Sequence, residues 1–369
     1  MFKEFTNKIA AHYSKNLPFV VYRKPKEQHV VALFQDDASL HHVADFTESG
    51  FVFAPFDTQK EIVLLHCDER LEVMPISLKT SEMEHLGIEL DATQKEFHIN
   101  LVKNGIDRIR NHELQKVVLS RKEEIDCSTA PLNLLQKLLG SYDNAFCYLW
   151  HHPKIGTWLG ATPEILLKGE NQRITTMSLA GTQVYAEDDN PIWGMKELEE
   201  QQLVTNYISS SLKDKVTNLS ISEWETIRAG KLFHLRTKIM AQYEKSRLLE
   251  IVNALHPTPA VCGLPMGLSK EFILENENYD REYYTGYLGE LNLKVETSRP
   301  SQRKNQENQV YKSIKTTTTF FVNLRCMQLK ENKAFIYVGG GVTKDSDPDK
   351  EWEETVAKTN TMLKVLTSA

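Results

Sequence analysis

A dense run of strand-like segments between residues 116 and 180 constrains the fold of this chain more than any other feature. Helical patterns lie on both sides of this run, at 94–111 before it and at 191–213 after it. The combination predicts an α+β fold with largely antiparallel sheets and helices packed outside them. The strand-like segments are rich in β-branched, aromatic and leucine side chains and lie at 116–121, 145–151, 157–160, 165–168 and 175–180.

The C-terminal residues give the clearest local prediction. Thr317–Gln328 predicts one strand and Ala334–Val338 a second, and we expect Gly339–Gly341 to form the turn that follows. Asp347 and Pro348 are a typical helix start, because Asp caps a helix and Pro is tolerated at its first position. The last helix is therefore predicted to run to about residue 366.

Three further segments complete the local predictions. Residues 223–255 are predicted to be mostly helical with an interruption around 230–237, and two prolines within 255–260 end any helix there. Residues 296–316 are polar and predict an exposed loop. The first 95 or so residues are less regular, with short strand-like runs between polar turns.

Composition excludes several classes of protein. Hydrophobic residues make up 41% and charged residues 25% of the chain, values typical of a globular protein. The net charge is −6 with both signs interspersed, which argues against a role on nucleic acid or at a membrane surface. No apolar stretch resembles a signal peptide or a membrane-spanning helix. The five scattered cysteines include no CxxC pair, which predicts reduced thiols in a cytoplasmic protein.

Acidic residues recur at helical spacing on two of the predicted helices. Glu351, Glu354 and Lys358 are three and four residues apart, so they project from one face of the last helix. Glu197 and Glu200 repeat the offset of three on the earlier helix. Two such carboxylate pairs can converge on one hard cation, and Mg²⁺ prefers a few carboxylates together with retained waters. The alternative is that all of them are ordinary solvent-exposed glutamates.

Two features predict an anion site. Gly339–Gly341 offers backbone N–H groups to a carboxylate or phosphate, or else is simply a flexible strand exit. Arg325 lies within a strand-like run, where period two places it on the same face as Phe321 and Met327. An arginine in so apolar a strand needs an anionic partner, which is either a structural carboxylate or that of a substrate.

Three titratable residues are candidates for proton transfer. Lys116 opens the apolar strand KVVLSR, where removal from water allows a lysine to act as a base near neutral pH, unless its side chain reaches solvent. Glu164 follows a turn, where a buried carboxyl stays protonated and acts as an acid, unless it is exposed. His234 is a lone histidine, for which a structural role is the more common one. From the residues alone both interpretations stay open in each case.

Taken together, these segments resemble the chorismate-utilising enzymes, which are isochorismate synthases, salicylate synthases and the large subunits of anthranilate and aminodeoxychorismate synthases. The resemblance implies an α+β fold with a large antiparallel two-sheet core and helices packed outside. It assigns residues 1–95 to a family-variable N-terminal part of that fold and residues 96–369 to the chorismate-binding catalytic core. The matching blocks run in family order and are KVVLSR (116–121), GATPEILL (160–167), SLAGT (178–182), KELEEQ (196–201), FHLR (233–236), LHPTPAVCGLP (255–265), YDREYYTGYLG (279–289), FVNLRC (321–326) and YVGGGV with DPDKEWEET (337–355).

The resemblance also implies a role for each candidate residue. In the family, the lysine matching Lys116 activates water, and the glutamate matching Glu164 protonates the departing C4 hydroxyl. The glutamates expected to hold Mg²⁺, directly or through water, are Glu200, Glu351 and Glu354. Glu197 is expected to lie just outside the groups that hold the ion. The expected substrate contacts are Gly181, Thr182, His234, Ala260, Tyr284, Arg325, Gly339, Gly340, Gly341 and Lys358.

Within the family, the resemblance favours an isochorismate synthase. Lys116 is present, whereas anthranilate synthases lack this base, and Ala180 stands where aminodeoxychorismate synthases carry a lysine. Ala260 resembles isochorismate synthases, whereas salicylate synthases tend to have threonine there. A salicylate synthase, or the chorismate-binding subunit of an aminating anthranilate or aminodeoxychorismate synthase, stays the alternative. Two residues depart from the family pattern, because Ser178 replaces a common proline and Gln201 a common histidine.

The reaction that the resemblance implies is the Mg²⁺-dependent, reversible conversion of chorismate to isochorismate. Water adds at C2 and the C4 hydroxyl is lost, and the product serves menaquinone or siderophore biosynthesis. Chorismate is then the small-molecule substrate, with no nucleic acid, membrane or glutaminase partner expected. We expect a cytoplasmic monomer or weak homodimer.

Overall fold

The computed structural model describes residues 2–74, 91–184, 191–229, 232–297 and 313–367. Their helices are α1 (Phe2–Ser14), α2 (Ala92–Arg110), α3 (Pro131–Ser141), α4 (Met195–Leu212), α5 (Leu248–Leu255), α6 (Met266–Asn276) and α7 (Pro348–Thr367), with a short 3₁₀ helix at Lys245–Arg247. Their strands are β1 (Phe19–Arg23), β2 (Val30–Phe34), β3 (His41–His42), β4 (Gly50–Ala54), β5 (Val63–Leu65), β6 (Glu69–Val73), β7 (Lys116–Asp126), β8 (Phe146–His152), β9 (Gly156–Thr162), β10 (Ile165–Glu170), β11 (Arg173–Val184), β12 (Thr217–Ala229), β13 (Leu232–Gln242), β14 (Gly263–Leu264), β15 (Tyr287–Thr297), β16 (Ser313–Val322), β17 (Cys326–Lys330) and β18 (Lys333–Val342).

In the described part of the chain the strands form two antiparallel sheets of nine strands each. Sheet A has the order β14-β7-β18-β17-β9-β8-β1-β2-β6, and sheet B has the order β12-β13-β11-β10-β16-β15-β4-β5-β3. Strands β1 to β6 are divided between both sheets, so the N-terminal residues share the same core. The α+β class and the two-sheet core are therefore confirmed, while the boundary at residue 95 stays a prediction.

Alternating side chains of the strands pack into different layers. On β1, Val21 belongs to an apolar cluster with α1, α3 and α7, whereas Tyr22 belongs to the aromatic cluster between the sheets. In that cluster the ring centroids of Phe146 from sheet A and Phe321 from sheet B are 4.2 Å apart. Helices α4 and α5 pack against sheet B. The result is two sheets packed face to face with helices outside both, which is why strands such as β1 are buried at every position.

Two connections carry the chain from one sheet to the other at the same corner. Residues 163–164 join β9 of sheet A to β10 of sheet B, and residues 323–325 join β16 of sheet B to β17 of sheet A. Because β9 pairs with β17 and β10 with β16, the two connections lie side by side. The Asn323 side chain fixes the second one, since it accepts a hydrogen bond from the Tyr148 hydroxyl at 2.6 Å and donates to the Tyr283 carbonyl at 2.9 Å.

The second connection corrects the single strand predicted for residues 317–328. β16 ends at Val322 and β17 begins at Cys326, in the other sheet. Arg325 lies between them with φ of 47°, in the left-handed region, so it does not share a strand face with its apolar neighbours. The break is hidden in the sequence because both strands are buried and the apolar pattern continues across it.

The helical prediction for residues 223–255 is wrong over most of its length. Strands β12 and β13 pair there, and α5 is the one α-helix among the described residues of this range. β12 is the edge strand of sheet B and exposes Trp224, so it lacks the clean alternation of a half-buried strand. Pairing with β13 overrides the helix preference of its glutamate and arginine residues. The end of α5 at Leu255, just before the two prolines, is as predicted.

The three glycines at 339–341 are not a turn. They lie inside β18 and pair with β7, with Gly339 opposite Ser120 and Gly341 opposite Val118. Glycine is uncommon within a strand, because it costs backbone entropy and packs no side chain, so the sequence alone favours a turn. The reason for glycine here lies in the neighbouring cavity.

The remaining local predictions have mixed outcomes. Helices α2, α4 and α7 match their predicted segments to within a few residues. Residues 296–297 and 313–316 of the predicted loop belong to β15 and β16, and the rest of it lies outside the described residues. None of the described helices is both long and apolar enough to cross a membrane.

Candidate active site

A cavity of about 290 Å³ lies beside the corner where the two connections pass between the sheets. Its walls come from both sheets and from α4 and α7. Thr182 lies in β11 opposite His234, and its side chain lies outside the part of the chain that the structure describes. Fifteen of the sixteen predicted site residues line the cavity, namely Lys116, Glu164, Gly181, Glu197, Glu200, His234, Ala260, Tyr284, Arg325, Gly339, Gly340, Gly341, Glu351, Glu354 and Lys358. The structure thus brings them together, while their roles stay predictions.

Lys116 is buried at the start of β7 and lies against Gly341. Its side chain is 8% exposed, so it does not reach solvent in the way that a lysine at a strand end often does. A β-carbon built on Gly341 would lie 3.1 Å from Cε and 3.5 Å from Nζ of the lysine. The ammonium donates a hydrogen bond to the carboxylate of Glu200. A lysine held inside a cavity in this way is placed to exchange a proton with a bound molecule.

Glu164 lies in the connection 163–164 with its side chain buried. Its backbone N–H donates to the hydroxyl of Thr162 at 3.3 Å, which helps to fix the connection. Burial raises the pKa of Glu164 to about 7, although the positive charges of Lys116 and Arg325 act in the opposite direction. Near neutral pH the carboxyl is therefore protonated in a large share of the molecules and is able to donate a proton.

We expect the Glu164→Gln substitution to improve stability more at pH 8 than at pH 5. The folded-state pKa of Glu164, about 7, lies above its ordinary value of 4.5, so the stability linked to its protonated form is lost as the pH rises through about 7. Glutamine stays neutral, so the free energy of unfolding of the variant relative to wild type should rise by on the order of 2 to 3 kcal/mol over this range. Urea unfolding at both pH values measures the change. If the difference in free energy of unfolding between variant and wild type does not change with pH, Glu164 is not buried as a neutral carboxyl.

Carboxylates from α4 and α7 surround the glycines of β18. A β-carbon built on Gly340 would lie 3.3 Å from Oε2 of Glu351 and 4.0 Å from Oε1 of Glu354. One built on Gly341 would lie 4.0 Å from Oε1 of Glu200. The absence of side chains on the strand therefore gives the carboxylates room to approach it. Glu351 also lies in the first turn of α7, where the helix dipole stabilises negative charge.

The donor set at these glycines fits a hard divalent cation. Mg²⁺ binds through one or two carboxylates and keeps several waters, and three glutamates each have a carboxylate oxygen within 4.0 Å of a β-carbon built on Gly340 or Gly341. Two of them form ion pairs, Glu200 with Lys116 and Glu354 with Lys358, the latter at 2.6 Å. Among the described residues, no group of three acidic, histidine or cysteine side chains is already arranged as a set of metal ligands. Mg²⁺ therefore stays a prediction for this site.

Two cations and a histidine supply further polar groups of the cavity. Burial lowers the pKa of the Arg325 guanidinium, and the charge of Glu164 counteracts that fall. The Lys358 ammonium donates to the Gly339 carbonyl at 3.0 Å. Burial and the charge of Arg325 lower the pKa of His234 to about 4, so its ring is neutral at pH 7. The cavity thus combines positive charge for an anion with a neutral ring.

Tyr337 is a lining residue that the sequence analysis did not single out. Its ring stacks on that of Tyr284 with centroids 5.5 Å apart and planes 20° apart, and both rings line the cavity. Once β18 is known to continue through the glycines, period two places Tyr337 on the same face as Gly339 and Gly341. This alternation is the sequence signal for Tyr337. The signal was missed because the glycines were predicted to form a turn.

A buried ion pair lies behind the cavity wall. Arg281 donates to both carboxylate oxygens of Glu277, at 2.8 and 2.6 Å, and each side chain is 1% exposed. The same guanidinium donates to the carbonyls of Val118 at 2.7 Å and Val261 at 3.0 Å, two residues that line the cavity. Glu277 also accepts from the N–H and hydroxyl of Ser120. One ion pair thus joins β7 to the segments that follow α5 and α6.

Comparison with known sequences relates this chain to enzymes that act on chorismate. A family model described as chorismate binding enzyme matches residues 57–297 and 311–367. Isochorismate synthase MenF of Escherichia coli (strain K12) is 29% identical over 290 residues, which are 76% of this chain and 61% of MenF. Isochorismate synthase DhbC of Bacillus subtilis (strain 168) is 27% identical over 337 residues, which are 85% of this chain and 79% of DhbC.

Comparison with solved structures shows a shared fold. The structure of DhbC from Bacillus anthracis matches with a TM-score of 0.76 at 24% identity, covering 96% of this chain and 97% of that one. The sequence match to MenF spans about three fifths of that relative's length. Because the family model covers most of the described core, including both helices that carry the acidic residues, the chain belongs to the family of chorismate-binding enzymes.

Proposed function

We propose that this chain converts chorismate to isochorismate. The observation that carries the proposal is that one cavity contains a buried lysine, Lys116, and a buried carboxyl, Glu164, whose pKa is raised to about 7. Adding water at one ring carbon while a hydroxyl leaves another requires a base and an acid in the same site. The relatives MenF and DhbC, both named isochorismate synthases, support the same reaction.

The substrate is a dianion with a ring carboxylate and an enolpyruvyl carboxylate, and the cavity offers groups for both. Arg325 and Lys358 supply positive charge, with Tyr284 beside them. β17 pairs with β18 only as far as Tyr337, so among the described residues one edge of the strand at 339–341 has no strand neighbour. Backbone groups on such an edge are available to carboxylate oxygens.

A divalent cation would balance negative charge beside this substrate. The residues that would hold Mg²⁺ are Glu200, Glu351 and Glu354, with Glu197 next to them on α4. These glutamates alone would repel a dianion. When bound, Mg²⁺ would neutralise charge on the ring carboxylate and orient the ring.

The chemical step uses Lys116 as base and Glu164 as acid. Lys116, in its neutral form, takes a proton from water, and the water oxygen forms a bond to ring carbon C2. The ring double bonds shift, and the bond between C4 and its hydroxyl oxygen breaks. Protonated Glu164 donates its proton to that oxygen, which leaves as water. One water enters and one leaves, so substrate and product have equal mass and the reaction is reversible.

The product formed from chorismate and Mg²⁺ without an amine source tests this proposal. We expect the purified protein to form a compound of unchanged mass in equilibrium with chorismate, detected by chromatography with mass detection. Salicylate and pyruvate would identify a salicylate synthase instead. A product that forms only after ammonia is added would contradict water as the nucleophile and indicate an aminating complex. The same mixture with a chelator tests the need for Mg²⁺.

The proposed product is a precursor for menaquinone or siderophore biosynthesis. We expect the enzyme to act in the cytoplasm without a glutaminase partner, as a monomer or weak homodimer. Size-exclusion chromatography of the purified protein measures its oligomeric state.

A further inference from the structure

Gln201 is the first residue of α4 whose described side chain is buried, and it follows the last residue of this helix that lines the cavity. The described side chains of residues 195–200 are exposed or half-buried, and Glu197 and Glu200 among them line the cavity. From Gln201 onward, residues such as Val204 are buried in the packing of α4 against sheet B. The contacts that fix Gln201 therefore fix the direction of the two glutamates.

The Gln201 side chain completes an open edge of β11. β10 pairs with β11 only as far as Thr175, so Ser178 and Ala180 lie beyond the end of that neighbour. Oε1 of Gln201 accepts a hydrogen bond from the Ala180 N–H at 2.9 Å, and Nε2 donates to the Ser178 carbonyl at 3.2 Å. A primary amide has the same donor and acceptor as a peptide group, so the side chain takes the place of the absent strand neighbour.

Two buried hydroxyls bind the same amide. Nε2 also donates to Oγ of Ser178 at 2.8 Å and to Oγ1 of Thr237 at 3.1 Å. An apolar side chain at position 201 would leave a buried backbone N–H and a buried carbonyl without this partner, which costs more than the bond itself contributes. Ser178 and Gln201 are also the two positions that depart from the family pattern, and here they form one contact.

β11 contacts α4 again one turn earlier. Gly181 has φ of 68° and lies at the bulge in the pairing of β11 with β13. A β-carbon built on it would lie 3.3 Å from Cβ of Glu197. Glu200 lies on the helix between the contacts made by Glu197 and Gln201. These contacts hold the helical turn that carries Glu200 against β11.

We propose that Gln201 is a positioning residue that holds the cavity-side turns of α4 on β11 and so sets the direction of Glu197 and Glu200. Its effect on α4 follows from the contacts alone. Its effect on Mg²⁺ rests on the proposed function. The two parts are tested by separate measurements.

Hydrogen–deuterium exchange of the Gln201→Met variant tests the effect on α4. Methionine has a similar length but forms none of the four hydrogen bonds of the amide. We expect amides of residues 198–203 to exchange at least about tenfold faster, while those of 206–212 keep their protection. Val204→Ala is the matched control, because it weakens the same helix through a cavity without removing a hydrogen bond. Equal loss of protection along the whole helix, or the same local loss in both variants, would overturn the proposal.

The Mg²⁺ concentration that half-saturates turnover tests the effect on the site. Gln201→Met should raise it by on the order of 10- to 100-fold, whereas Val204→Ala should leave it unchanged. Ser178→Ala removes one hydroxyl but keeps the hydrogen bonds of Gln201 to the β11 backbone. It should raise both the exchange rate and the half-saturating Mg²⁺ concentration, each by less than Gln201→Met does. This variant allows the test to be made if Gln201→Met does not fold. If Gln201→Met loses amide protection in α4 but its half-saturating Mg²⁺ concentration is unchanged, Gln201 does not position the glutamates for Mg²⁺. A wild-type protein that makes no isochorismate would instead contradict the proposed function and leave the exchange result standing.

Discussion

Replacing Lys116 by alanine should lower kcat by about 10²- to 10⁴-fold, the usual contribution of a general base. Lys116 is buried in the cavity, and the proposed step begins with its removal of a proton from water. Chorismate should still bind in the presence of Mg²⁺, because the substituted side chain is not among the expected carboxylate contacts. Steady-state kinetics measure kcat, and calorimetry of the variant with chorismate and Mg²⁺ measures binding.

Two further variants distinguish the role of Lys116 as a base from the role of its positive charge. Lys116→Arg keeps a cation next to Glu200 but cannot lose its proton near neutral pH, so it should be as inactive as the alanine variant. Lys122→Ala removes a lysine from the same strand that does not line the cavity, and it should leave kcat unchanged. Near-normal turnover of the Lys116→Ala variant would mean that another group activates the water.

Replacing Arg281 by methionine should lower the free energy of unfolding by about 3 to 5 kcal/mol. The substitution leaves the buried carboxylate of Glu277 without its cation and removes the hydrogen bonds to the Val118 and Val261 carbonyls. A buried charge that loses its partner keeps its desolvation cost, which is why the expected loss is large. Urea unfolding monitored by circular dichroism measures it.

An exposed ion pair of the same type provides the matched control. Arg247 and Glu250 are paired at 2.8 Å, but their side chains are 35% and 54% exposed. Arg247→Met should therefore change the free energy of unfolding by less than about 1 kcal/mol. In the double variant Glu277→Leu with Arg281→Met, the loss should be smaller than the sum of the single losses, because no buried charge is left unpaired. Additive losses would show that the pair is not coupled.

Local patterns in the sequence predicted the helices of the site well. The offsets of three and four among Glu351, Glu354 and Lys358 place all three on one face of α7, and all three line the cavity. The start of that helix was likewise readable from Asp347 and Pro348, because capping depends on neighbouring residues alone.

The errors occurred where distant strands decide the local structure. The glycines at 339–341 lie in β18 because β7 pairs with them and because carboxylates from two helices need the space above them. Residues 217–229 and 232–242 form strands because β13 is paired with both β12 and β11. Arg325 enters the cavity through a change of sheet rather than through strand alternation. Apart from β12 and β13, which follow one another in the chain, these partners are far apart in sequence, so single-segment patterns contain no signal for them.

The corner between the two sheets also determines when the cavity can form as the chain folds. Lys116 belongs to one sheet, while residues 163–164 and 323–325 pass from one sheet to the other. Contacts between residues so far apart in sequence close large loops and form late in folding. During refolding, enzymatic activity should therefore return in the slowest phase, after the circular dichroism signal of the helices. A fragment that retains only one of the sheets contains no complete cavity, so turnover is a specific probe of the fully assembled state.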